Sequence, residues 1–389
     1  MLLKYFHIYG LACGLVPAPL DKFSKFSKAS RTYLIYTACF QGLLLVLLPF
    51  TFPRYMYDAS YMRRNLVLQW AFSLTNITRI IAMLTGFFLT WGKRTKLIAL
   101  EKALLAHCLE CRDLEDDSTG FLKLRQRIHG LLRQQFFLLN VHVVVAALLL
   151  TRIDKDQEFS YHLMILVHVL QFAYIVIMTA SLYVIHSLLL WQQERVNLAL
   201  QDLCSALNHE ERNSLVLSRT IATESLQVMR HLFQLHSENR RLLREIFKEL
   251  DVPIAMLLLK MFVTNVNLVY HGVQFGNHSI ETTIFTRILG QLVVISHYWS
   301  AILLMNILDD LTQTSGPKTG HILKQFSHLE LVKRDFQLQL ELFSDHLRCH
   351  PATYKVCGLF VLSKQTSLVY FFFVLVQVLV LIQFDMKDK

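Results

Sequence analysis

Residues 163–190 read LMILVHVLQFAYIVIMTASLYVIHSLLL, a run without a single Asp, Glu, Lys or Arg. A bilayer core about 30 Å thick takes about 20 apolar residues of helix. A barrel strand would alternate polar and apolar positions, which this run does not, and Val143–Leu150 has no polar face at all, so helices are the reading. Working outward, six further apolar runs stand at 33–52, 66–91, 131–151, 253–275, 284–308 and 368–384, four of them with a single Arg or Lys each. Composition agrees. Of 389 residues, 53% are hydrophobic and 17% charged, against about 25% charged in ordinary globular domains. With 13 Gly, 7 Pro and 7 Cys, collagen-like, disordered and disulfide-rich classes are excluded. The expected fold class is all-α: a polytopic membrane protein with seven transmembrane helices.

The distribution of charge sets the expected orientation. Segments before run one and after runs two, four and six hold 28 Lys and Arg, while the alternate segments hold 7. Basic residues mark the cytosolic side, so the N-terminus is expected inside and the C-terminus outside. The sequon Asn277-His278-Ser279 then falls outside and is the candidate glycosylation site, whereas Asn76-Ile77-Thr78 is buried in run two. Cys13, Cys108, Cys111, Cys204, Cys349 and Cys357 fall in cytosolic segments and Cys39 within run one, which implies no external disulfide. The expected organisation is a cytosolic segment at 1–32, four membrane helices at 33–190 with a cytosolic loop at 92–130, and a cytosolic helical segment at 191–252. Two membrane helices at 253–308, a second cytosolic helical segment at 309–364, and a last helix with a short external tail at 365–389 complete it. Residues 1–16 read as an interfacial segment rather than a signal peptide.

Both long cytosolic segments carry helical stripes. Met229, Leu232, Leu243, Ile246 and Leu250 recur at heptad-like spacing, with His236 and Asn239 in the same stripe. Phe326, Leu329, Val332, Phe336, Leu340, Phe343 and Leu347 repeat the pattern. Such faces need a partner, either one another or a second subunit.

The C-terminal run ends Val378-Leu-Val-Leu-Ile-Gln383-Phe384, preceded by Gly358-Leu359-Phe360 on the approach. Five apolar residues followed by Gln-Phe resemble the last-helix signature of the insect gustatory receptor family. The Thr-Tyr that opens that signature is replaced here by Val376-Gln377. The resemblance implies a gustatory receptor subunit: a ligand-gated, non-selective cation channel in which four identical or related subunits each contribute the last helix to one pore. It implies a small-molecule tastant, bitter or otherwise organic, and a plasma-membrane location on a sensory neuron dendrite. The pore and gate candidates are Val376, Gln377, Val380, Gln383 and Phe384, which with Phe373 share one helical face. An apolar ring of that kind closes by excluding water, and Gln rings would hold ions. From residues alone the run could equally be a lipid-facing or core helix whose glutamines bond to neighbours.

Candidates for a ligand pocket are the polar and aromatic residues of the outer halves: Gln69, Trp70, Asn140, His142, His168, Gln171, Tyr174, Asn267, Tyr270, His271, Gln291, His297, Tyr298 and Trp299. Aromatic walls with a few polar groups suit a small organic ligand, and interhelical hydrogen bonding is the competing use of each. Arg79 sits at mid-depth, where an ionisable group must face protein or water. Lys260, about two turns into its run, is expected to snorkel toward the cytosolic interface. Cys108 and Cys111 form a CxxC pair with no second half, too little for a zinc site. With no phosphate loop, dinucleotide fingerprint or nucleophile elbow, an enzyme is not expected, nor a cofactor, a metal site or a nucleic-acid partner. A seven-helix receptor coupled to a cytosolic transducer and a transporter are the alternatives.

Overall fold

The computed structural model describes residues 2–15, 31–52, 66–114, 119–150, 159–213, 219–276, 283–329, 334–350 and 354–387. The helices in chain order are α1 (Leu2–Ala12), α2 (Arg31–Val46), α3 (Leu66–Gly92), α4 (Arg94–Glu110), α5 (Thr119–Leu150), α6 (Phe159–Asn213), α7 (Arg219–Gly276), α8 (Ile284–Gln313), α9 (Thr319–Gln325), α10 (Arg334–Cys349) and α11 (Lys364–Lys387). Six of them, α3, α5, α6, α7, α8 and α11, are long and apolar enough to cross a bilayer. The first expected span is shorter than read: α2 has 16 residues and gives way to a 3-10 turn at Leu48–Thr51, where Pro49 sits at its start. Proline fixes φ and removes a donor, which favours such a break. Asn277 and Val332 lie outside the described residues.

In the membrane part α3 packs on α7, α5 on α6, and α8 against all of α5, α6 and α7. The last helix, α11, leans on α7 and α8. Short α1 docks against α5 and α6, with Phe6 buried and the Tyr9 ring stacked on Phe136 at 6.1 Å.

Two helices run far beyond the bilayer. With 55 and 58 residues, α6 and α7 each extend about 80 Å or more at 1.5 Å per residue. Their lower halves form the base, where the basic connections gather. Of the stripes read from the sequence, the first is buried there, and in the second Phe326, Leu329, Phe336 and Phe343 are buried and Leu340 and Leu347 half-buried, all within a single chain. Met229 and Leu232 of α7 meet Val196 and Leu200 of α6, Ile322 of α9, and Phe336 and Phe343 of α10 in one apolar cluster. Full burial of each such side chain contributes about 1.5–3 kcal/mol. The polar members of the stripe are bonded rather than misplaced. Gln193 Nε2 meets His236 Nδ1 at 2.8 Å, and Asn239 Nδ2 donates to Gln193 Oε1 at 3.0 Å.

The sequence led one to expect a helical segment at 309–364, but its described residues also include two short strands. A π-turn at Thr314–Lys318 holds Pro317, and Asn197 Nδ2 donates to the Thr314 carbonyl at 3.0 Å. Farther on, strands β1 (Lys355–Val356) and β2 (Phe360–Val361) pair antiparallel. Their turn places Cys357 and Gly358 at φ 47° and 71°, the left-handed pair of a type I′ turn, which explains a glycine there. Asp251 Oδ1 binds this hairpin to the base of α7, accepting from Tyr354 at 2.9 Å and from the Cys357 N–H at 2.7 Å.

Pro253 lies inside α7 without ending it. It leaves the Glu249 carbonyl without its helical donor. The Glu249 carboxylate meanwhile holds Lys93 at 2.7 Å and Lys96, at the corner between α3 and α4.

Candidate functional site

Lys260 stands about two turns above Pro253 on α7, and only 2% of it is exposed. It does not snorkel: the helices around it close over the ammonium, and its nearest acceptor is inside the bundle. Lys260 Nζ lies 2.7 Å from His297 Nε2 on α8. His297 Nδ1 lies 2.8 Å from Asn265 Oδ1, and Asn265 Nδ2 donates to the Tyr370 hydroxyl at 2.7 Å. An amide oxygen only accepts, so His297 carries its proton on Nδ1 and accepts from Lys260 through Nε2. Every donor in the chain therefore points the same way, from Lys260 through His297 and Asn265 to Tyr370 on α11. Such chains polarise along their length.

The walls around this line are aromatic. The Phe172 ring centre on α6 is 5.6 Å from Lys260 Nζ, within cation–π range. His142 of α5 sets its ring edge-on to His297 at 5.2 Å and to Phe172 at 4.7 Å between centroids. His142 is 1% exposed, and neither ring nitrogen has a hydrogen-bond partner.

A second cationic centre lies on α3. Arg79 Nη2 donates to Asn76 Oδ1 at 2.6 Å and meets His168 Nδ1 of α6 at 2.6 Å. Arginine cannot accept, so His168 accepts at Nδ1. The two helices approach closely about two turns farther down. A Cβ on Gly86 would stand 2.6 Å from the Tyr174 hydroxyl, so only glycine fits there. Gln171, also on α6, donates to Thr51 at 2.9 Å.

The remaining candidates divide. Asn140 accepts from Tyr9 of α1 at 3.1 Å. Asn267 is buried, and Gln69 and His271 are half-buried. Tyr270 packs with Leu68, Val374 and Val378, joining α3 and α7 to α11. Tyr298 sets its ring against Tyr370 at 5.9 Å and Phe371 at 5.6 Å. Three do not face the interior: Trp70, at 70% exposure, Trp299 and Gln291 sit on the outside of the bundle. Trp70, close to the start of its run, suits the membrane interface.

On α11, Val374 and Val378 are buried against the bundle, and Val376, Val380, Gln383 and Phe384 are exposed, with Gln377 between. One face of the helix is thus committed to its own chain and the other is open. Sequence reasoning passed over Asn265, Phe172 and Tyr370. A hydroxyl or amide inside an apolar run was the available signal, but nothing in the sequence joins residues 105 positions apart, as Asn265 and Tyr370 are.

Residues 3–388 match the sequence model of a family described as 7tm chemosensory receptor. The chain is 59% identical to the Drosophila melanogaster protein named gustatory receptor 58a, over 100% of this chain and 99% of that one. It is 30% identical to gustatory receptor 58b of the same species, over 94% of this chain and 86% of that one. Among solved structures, the fold is similar to the insect olfactory receptor OR5 from Machilis hrabei in complex with eugenol, with TM-score 0.64 and 12% identity over 98% of this chain and 97% of that chain. A second structure of the same Machilis hrabei receptor gives TM-score 0.65 at 11% identity, over 98% of this chain and 97% of that chain.

Proposed function

The chain belongs to the 7tm chemosensory receptor family, among the insect gustatory receptors, and from that premise we propose that it is one subunit of a tastant-gated, non-selective cation channel. It is a multi-pass membrane protein. Four such subunits, alike or related, surround one pore in the plasma membrane of a sensory neuron dendrite. The N-terminus is cytosolic, the C-terminus external, and Asn277 glycosylated. The ligand is a small organic tastant, bitter-type by default. A eugenol complex of the Machilis hrabei receptor supports a ligand of that size.

One observation carries the reading: the buried donor chain from Lys260 to Tyr370. It joins the aromatic interior to the inner face of α11, whose other face presents Val376, Val380, Gln383 and Phe384. A ligand that rearranges Lys260 or His297 alters the bond at Tyr370 and so shifts α11 against α7. Four outer faces of α11 form an apolar constriction that opens by wetting, with Gln377 and Gln383 as polar stations.

Patch-clamp recording with a tastant panel tests this, with the chain expressed alone and beside related subunits. Tyr370→Phe keeps the ring against Tyr298 and removes the acceptor for Asn265. It should move the concentration response to higher ligand at matched surface expression. An unchanged response would remove this chain of bonds from gating. An internal C-terminal epitope would favour a transducer-coupled receptor instead, and a glycosidase-sensitive mass shift that survives Asn277→Gln would refute the glycosylation assignment.

A further inference from the structure

Among the described residues the interior around Lys260 holds several buried donors and no acid. None of the seven apolar runs contains an Asp or a Glu. Two cations are nevertheless buried among them, Lys260 and Arg79, and Arg79 is within electrostatic range of Lys260. Lys260 has three N–H donors, and its one hydrogen-bond partner among the described residues is His297. Arg79 Nε and Asn76 Nδ2 have no partner, and both nitrogens of the buried His142 ring beside Lys260 are unpaired. Buried cations are costly unless a counter-charge or acceptor meets them. The acceptors met here, His297, Asn76 and His168, are neutral, and the membrane runs supply no counter-charge.

We infer that the ligand is an organic anion, a small carboxylate on an aromatic or apolar body, with its carboxylate seated against Lys260 and His142. The inference rests on reading this interior as the ligand site. The Phe172 ring beside Lys260 suits the apolar body, and the carboxylate supplies the negative charge that the runs lack. Charge-assisted bonds are about twice as strong as neutral ones. Occupancy therefore repositions Lys260 at the head of the chain that ends on Tyr370.

Thermal unfolding of the purified full chain in lipid nanodiscs at pH 7.4 tests it with benzoate, cinnamate and hydrocinnamate, each beside its neutral amide. Half-maximal stabilisation should need at least about tenfold less acid than amide for at least one pair, since a desolvated charge pair is worth that or more. Lys260→Met should bring the ratio to about one, and Lys260→Arg should preserve it. Equal potency of all acids and amides in the native chain overturns the inference, and this comparison needs no variant to fold. So does stabilisation by no carboxylate, a ratio that survives Lys260→Met, or chloride acting at the same concentration as cinnamate. Currents evoked by amides without acid preference overturn the anion and leave the channel reading. Acid-selective stabilisation in a chain that passes no current in any subunit combination overturns the channel and leaves the site.

Discussion

Asp309 Oδ2 accepts the backbone N–H of Lys364 at 3.2 Å. The lower end of α8 therefore caps the first residue of α11, and Asp310 Oδ1 adds an ion pair to Lys364 Nζ at 2.7 Å. A carboxylate at a helix N-terminus satisfies an orphan donor and complements the dipole. Asp309 is buried, so no water replaces it readily.

Asp309→Ala should cost about 0.5–2 kcal/mol, the usual range for a lost cap. Asp309→Asn, which still accepts, should cost less. Thermal unfolding in nanodiscs measures both, and equal losses would mean that the cap contributes nothing.

On α11 the two faces should respond differently. Val380→Ser and Phe384→Ala act on the open face and should raise ligand-independent current at matched surface expression. Val378→Ala acts on the committed face and leaves a void between Tyr270 and Leu68. It should lower thermal stability rather than alter conductance. Equal leak from both sets would show that α11 does not present one face to a pore.

Assembly and stability should separate at the base. Phe343 is fully buried within its own chain, so Phe343→Ala should cost about 3–5 kcal/mol and lower expression. Leu338 and Leu342 on the outer side of α10 are 56% and 52% exposed. Leu338→Glu with Leu342→Glu should convert tetramers to smaller species on a native gel without lowering the unfolding temperature of the subunit. Tetramers that persist in the double variant would place the contact elsewhere.

Acid should loosen the base through His107. Burial pushes its pKa down from 6.5 to about 4, against smaller opposite effects of Glu238 and Asn239. The folded state therefore favours the neutral ring. Its contribution is complete above about pH 6.5 and is lost as pH falls toward 4, up to about 3 kcal/mol at 1.4 per unit. His107→Gln should flatten the stability slope between pH 6.5 and 4. A slope unchanged in that variant would assign the acid sensitivity to other groups.

Residues 163–190 revealed a membrane helix because length and absence of charge are properties of a single segment. The stripe through Met229, Leu232 and Leu243 was legible for the same reason, since periodicity states which face is buried. It does not state by what, and Phe336 and Phe343 are covered within their own chain. Lys260 was misjudged because its acceptor is 37 residues away on another helix; depth in a run predicts a route to water only when no neighbour is nearer. The hairpin at Lys355–Val361 escaped because two-residue strands carry no period. Trp70 and Trp299 were grouped with the interior by their chemistry, although aromatic rings face lipid equally well.

Pro253 separates the two tasks of α7. Above it stand Lys260 and Asn265, and below it the packed stripe and the corner held by Glu249. A rod lacking one rung of its ladder bends there more easily than anywhere else along its length. The upper arm can swing as a lever about that fulcrum while the foot stays planted. Under the proposed gating, a motion that began at Lys260 would be turned sideways into α11 instead of being spent in unseating the base.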